Sequence, residues 1–161
     1  MDFYEALNKR RSIRGYKPDA VPEDAIRRIG EAVRTAPTAC NRQPCQILLV
    51  RNPEKRAALA KVYPQKWLAQ APIIAVLVGC ESEAWKRLEG NTIIDVDAAI
   101  AMEHFMLGTC WICAFRRAEA DKALGLDPKY KTVAMSPLGY AAAEPGPFVR
   151  KPLDELFKVV D

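Results

Sequence analysis

The apolar positions of this chain fall in short blocks whose spacing switches between helical and extended periods. Asp2 precedes an apolar-polar run as an N-cap, with Glu5 three positions on, which predicts a short helix from Phe3 to Lys9. Val21-Pro22-Glu23 opens a second helix, since proline suits a first helical turn. Along it Ile26, Ile29, Gly30 and Val33 share one face, and Arg27, Arg28, Glu31 and Arg34 share the other, until Pro37 ends it. Ile47 to Val50 predicts a buried strand, and Asn52-Pro53-Glu54 caps and starts a further helix. Ile73 to Gly79 is apolar throughout, the pattern of a strand covered on both faces, and is expected at the centre of a sheet.

Ile93 to Leu107 is the longest helical pattern and is apolar on most sides, which places it inside the domain or at a subunit contact. Trp111 to Phe115 is expected as a short strand, Ala118 to Leu124 as a helix stopped by Gly125, and Thr132 to Tyr140 as a strand. The tail, with Pro145, Pro147 and Pro152, is expected to be extended, with a short helix near Asp154 to Phe157. Irregular alternation of helices and strands without repeats or linkers predicts one layered α+β domain over residues 1–161.

Composition changes this picture little. Half of the 161 residues are hydrophobic, enough for a core without disulfide staples. No apolar run approaches the roughly 20 residues that span a bilayer, and the acidic, mixed start is unlike a secretion signal. A cytoplasmic chain is expected, with neither membrane nor nucleic acid as a partner. The net charge of +4 is interleaved with acids except at Lys9-Arg10-Arg11-Ser12-Ile13-Arg14. Five cysteines in such a chain are expected to be reduced.

Four segments carry candidate chemistry. Arg10, Arg11, Ser12 and Arg14 put many donors in a small space, and arginine forks match phosphate oxygens; a solvated basic turn reads equally well from these residues alone. Pro37-Thr38-Ala39-Cys40-Asn41-Arg42-Gln43-Pro44 offers amide donors and acceptors suited to a flat polar ring edge, or is an ordinary connection. Gly108-Thr109-Cys110-Trp111-Ile112-Cys113 holds a C-x-x-C, but it follows a helix rather than opening one, so buried small side chains are the simpler reading. Arg150 and Lys151 end a proline-rich arm that could close over a phosphate. His104, the single histidine, sits in the apolar helix as a core or interface residue. Glycine-rich nucleotide loops, the G-x-S-x-G elbow and H-E-x-x-H are all missing from the sequence.

Taken in order, these segments resemble the nitroreductase family of FMN-dependent oxidoreductases, in a short-chain form. The shared motifs are R-R-S-x-R from Arg10, P-[ST]-x-x-N-x-Q-P from Pro37, G-T-C-W-I from Gly108, and L-G-Y followed by R-K-P-L from Arg150. The resemblance implies an α+β sandwich, mostly antiparallel in its central sheet, and a homodimer with FMN at the interface. It implies that Arg10 and Ser12, with Arg11 beside them, hold the phosphate and ribityl end, and that Arg14 sits nearer the pyrimidine edge. Pro37, Thr38, Ala39, Asn41 and Gln43 would meet the flavin partly from the second subunit. Trp111, Ile112, Cys113 and Ala114 would pack on the ring and offer backbone N–H groups, and Arg150 and Lys151 would reach the phosphate.

NADH or NADPH would donate hydride in a ping-pong cycle, with nitroaromatics, quinones or similar electron-poor acceptors as oxidants and no side-chain acid or base required. Alternatives on the same fold are dehalogenation, oxygen-dependent flavin chemistry, or a non-catalytic flavin or redox sensor using Cys110 and Cys113. Three departures from the family pattern stand out, one being Cys113, which stands where a glycine or acidic residue is more usual and would put a thiol beside the flavin. About seven residues, roughly two helical turns, are missing between Leu107 and Gly108, so the core helix is truncated or part of the chain is absent from the sequence. Ala141 replaces a usual proline after Gly139-Tyr140, which is expected to loosen that loop.

Overall fold

A computed structural model describes residues 2–105 and 109–160. The elements in chain order are α1 (Phe3–Lys9), α2 (Glu23–Arg34), β1 (Cys45–Val50), α3 (Pro53–Val62), α4 (Lys66–Gln70), β2 (Ile73–Cys80), α5 (Ile94–Phe105), α6 (Arg117–Leu124), β3 (Tyr130–Leu138) and α7 (Leu153–Leu156). The strands form an antiparallel sheet in the order β1-β2-β3. All eight residues of β2 are buried, as its unbroken apolar run requires of a central strand. Its alternate residues face opposite ways. Ile73, Ala75 and Leu77 pack with Ala98, Ala101, Met102 and Phe105 of α5, and with the apolar face of α2. Ile74, Val76 and Val78 pack with Leu59 of α3, Leu68 of α4 and Ala120 and Leu124 of α6. Helices therefore cover both faces of the sheet, and the α+β sandwich read from the sequence is the observed architecture.

Capping follows the sequence closely. The Asp2 carboxylate accepts the Glu5 N–H at 2.8 Å, and Asn52 Oδ1 accepts the Lys55 N–H at 2.9 Å. Gly125 ends α6 in the left-handed region, at φ 64°. Three expectations change. Residues 111–115 make no strand: Ile112 alone bridges Met135, through a reciprocal pair of 2.9 Å backbone bonds. The helix α4 was not foreseen, being five residues long. His104 is exposed in the single chain rather than in its core, which leaves the interface reading open, and its Nδ1 lies 2.9 Å from the Ala32 carbonyl, tying α5 to the end of α2. The expected helix end at Leu107, and the shortening before Gly108, lie outside the described residues. Among the described residues no helix is long and apolar enough to cross a membrane.

Candidate functional site

The segment after α1 meets the segment after β3. Tyr16 and Ala141 form an antiparallel bridge, flanked by Lys17 N–H to Tyr140 O (2.9 Å) and Ala142 N–H to Gly15 O (3.0 Å). Ala141 is thus held by pairing rather than loosened. Tyr16 is anchored below, its hydroxyl donating to the Ile13 carbonyl at 2.9 Å, and burial pushes its phenol well above the usual range. Ile13, Tyr16 and Ala71 make a small core with Trp67 packed against it, so Trp67 supports this corner from beneath.

Above that bridge lies a cavity of about 510 Å³. Its walls are Arg10 to Gly15 on one side and Ala142 to Phe148 with Arg150 on the other. Four arginines and Ser12 therefore converge within one chain, against a single lining acid, Glu144. Among the described residues, no carboxylate forms an ion pair with Arg10, Arg14 or Arg150; the nearest pairs in sequence are Lys9 with Glu5 and Lys151 with Glu155. Arg11 is used differently. Its Nη1 donates to the carbonyls of Asn8 (2.6 Å) and Arg10 (2.8 Å), satisfying the end of α1, and its guanidinium lies 3.6 Å over the Phe148 ring. Arg150 sits 4.4 Å from the same ring, so Phe148 holds the two walls together. Lys151 does not line the cavity; it pairs with Glu155 at 3.4 Å.

The amide loop is built elsewhere and lines none of this cavity. Residues Ala39–Asn41 make one 3₁₀ turn, and three non-glycine residues take positive φ: Cys40 (51°), Asn41 (52°) and Gln43 (51°). The Thr38 hydroxyl accepts the Gln43 N–H at 2.9 Å, and Gln43 Nε2 donates to Asn41 O and Oδ1 at 3.2 Å. From outside, buried Asp97 in the first turn of α5 accepts the Ala39 N–H at 3.1 Å. Asp97 was missed in the sequence, where an acid near a helix start signals capping rather than burial.

The turn at residues 109–117 connects the two regions. Thr109 O accepts the Ile13 N–H at 3.3 Å beside the arginines, and Arg117 pairs with Asp95 of α5 at 3.1 Å. The Ile112 N–H is committed to the Met135 carbonyl, so of the turn residues named from the sequence Trp111, Cys113 and Ala114 keep N–H groups with no backbone partner among the described residues. Cys110 is buried as expected, but Cys113 is exposed; Trp111 Nε1 donates to its Sγ, and partial desolvation raises its thiol pKa against that bond and nearby Arg117. Cys45 lies by Asp97 and Asp95, and burial with these acids pushes it up to about 12.

An α+β sandwich that gathers around one cavity arginines without ion-pair partners among the described residues has the donor set that suits an anion. Comparison narrows the class of protein: the Nitroreductase family matches residues 7–68 and 60–140, and the chain belongs to this family. A protein of Methanothermobacter thermautotrophicus, whose name proposes NADH dehydrogenase/NAD(P)H nitroreductase activity, is 30% identical over 155 residues, covering 91% of this chain and 81% of that protein. The FMN reductase [NAD(P)H] of Bacillus subtilis is 25% identical over 128 residues, covering 78% of this chain and 51% of the relative. A crystal structure of a nitroreductase family protein from Clostridium difficile 630 has a TM-score of 0.86 at 24% identity, covering 98% of both chains, and shares the fold.

Proposed function

We propose that this chain is an FMN-dependent NAD(P)H oxidoreductase that works as a homodimer by a ping-pong cycle and reduces nitroaromatics, quinones or similarly electron-poor acceptors. The observation that carries this reading is the convergence of Arg10, Ser12, Arg14 and Arg150 on one cavity in a member of the nitroreductase family. The donor set fits a phosphate monoester: several guanidinium forks and a hydroxyl, with one acid among them. Bound FMN supplies two-electron redox chemistry that no side chain here provides.

The protein's own part is binding and positioning. Arg10, Ser12 and Arg150 hold the phosphate end. Arg14, the exposed arginine of the segment, supplies a cation toward the ring. Arg11 keeps the cavity wall in shape through its carbonyl bonds and Phe148. Asn41 and Gln43, with the N–H groups of Trp111, Cys113 and Ala114, meet the ring edge. The homodimer is supported by two features. The amide loop lines none of its own chain's arginine cavity, and the tail leaves Val149, Leu153, Phe157 and Val160 exposed.

The test is spectroscopic. Purified chain loaded with FMN should be yellow, bleach with NADH or NADPH without air, and recover its colour on adding a nitroaromatic. Arg10→Ala and Arg150→Ala should each weaken FMN binding about 10- to 100-fold, the range for losing a charge-assisted bond to an anion. A chain that cannot be loaded with FMN, or an Arg10→Ala variant with unchanged affinity, overturns the reading.

A further inference from the structure

We propose that Asp97 is a positioning residue: it holds the 38–43 loop so that the Asn41 and Gln43 amides meet the edge of a planar heteroaromatic ligand. This rests on the FMN reading for the ligand, but its argument begins with the carboxyl group itself. Asp97 is 1% exposed, among Ala98, Ala101 and Met102 on the buried side of α5. Its Oδ1 accepts one N–H, from Ala39, while its Oδ2 is buried without a partner among the described residues. An acid buried with half its acceptors unused costs stability that an alanine there would not. A purely structural account of the helix leaves that cost unexplained.

The single bond it makes explains the placement. Ala39 opens the segment where Cys40, Asn41 and Gln43 all take positive φ, a conformation that persists only when its surroundings enforce it. Within the loop, Thr38 takes up the Asn41 N–H on its carbonyl and the Gln43 N–H on its hydroxyl, both at 2.9 Å. Among the described residues, two side-chain bonds tie the loop to the rest of the fold: Asp97 at its start, and Arg42 Nη1 to the Ala84 carbonyl at 3.1 Å near its end. Bonds from both ends fix the curvature, and the product is a pair of exposed, mutually bonded amides. Adjacent amide donors and acceptors suit the alternating edge of a flavin-type ring.

The experiment compares wild type, Asp97→Asn, Asp97→Ala and Arg10→Ala as full chains. Binding of FMN and of riboflavin, which has the same ring without the phosphate, is followed by fluorescence quenching. Amide exchange of Ala39 and Gln43 is measured in the ligand-free protein. Asp97→Ala should weaken both ligands by the same factor, about tenfold or more, so the FMN-to-riboflavin affinity ratio stays at the wild-type value. Arg10→Ala should collapse that ratio.

Asp97→Asn preserves shape and an acceptor, and should fall between wild type and Asp97→Ala. It carries the test should the alanine variant fail to fold. Exchange at Ala39 and Gln43 should speed up in both Asp97 variants. Unchanged riboflavin affinity in folded Asp97 variants overturns the proposal, as does a shifted ratio. If the wild type binds neither ligand, the FMN reading fails instead. Asp97 is then judged on exchange alone, with unchanged protection at Ala39 and Gln43 refuting its hold on the loop.

Discussion

Arg11 and Arg14 are the same residue type three positions apart, and the fold gives them different work. Arg11 closes off carbonyls at the end of α1 and stacks on Phe148, while Arg14 stays exposed at the cavity. The basic run alone read equally well as an anion site or a solvated turn, and what separates the two is the cavity that Arg10, Ser12 and Arg14 share with Arg150. The internal division of the run was not legible, since it depends on Phe148 arriving from 137 residues further on. The cysteines make the same point. A C-x-x-C invites a redox reading, yet partial desolvation raises the pKa of Cys113, which holds it as a thiol at neutral pH. Alkylation by iodoacetamide, followed residue by residue by mass spectrometry, should therefore be slow at Cys113 near pH 7. It should climb about tenfold per pH unit and keep climbing past pH 9. Cys45, pushed up to about 12, should stay protected over that whole range. Fast labelling of Cys113 at pH 7 would restore the redox-sensor reading.

At the scale of elements, strong periodic signals were read correctly and weak ones were not. The central strand, the Asn52-capped helix and the helix stopped by Gly125 each have a local cause, so the sequence displays them. The segment at 111–115 has strand-like composition but pairs at one residue only, because its neighbours turn away to reach Ile13 and Asp95. The last strand ends at Leu138 rather than Tyr140. There Gly139 passes so close to Pro72 that an added Cβ would sit 2.7 Å from its Cδ and 3.3 Å from Tyr16 Cδ1. A proline ring cannot rotate aside, so the chain itself must shift. That shift falls on the Tyr16–Ala141 bridge, which sets the distance between the two cavity walls. Gly139→Ala should therefore cost about 1 to 3 kcal/mol in denaturant unfolding and weaken FMN binding beyond what that loss explains. Full stability in this variant would mean the contact relaxes freely.

For the whole molecule, the decisive fact is that the arginine cavity and the amide loop belong to one chain while the loop lines none of that cavity. No pattern in a single sequence displays such a separation, because motif order says nothing about which copy completes which site. If the loop of one subunit serves the arginines of the other, damage at the two places can be complemented. Arg10→Ala and Asn41→Ala homodimers should each bind FMN poorly. When the two variants are co-expressed with different tags, random pairing puts both lesions in one site of each mixed dimer and leaves its other site intact. About one quarter of all sites, those in the mixed dimers, should then recover wild-type affinity. Dual-tag purification concentrates that species, and its flavin content should rise to about half occupancy at FMN concentrations where both parents are nearly colourless. If each chain completes its own site, every site in the mixed dimer carries one lesion and no tight class is recovered. That outcome would place the loop and the arginines on the same flavin within one subunit, and would remove the main structural reason for requiring a second copy.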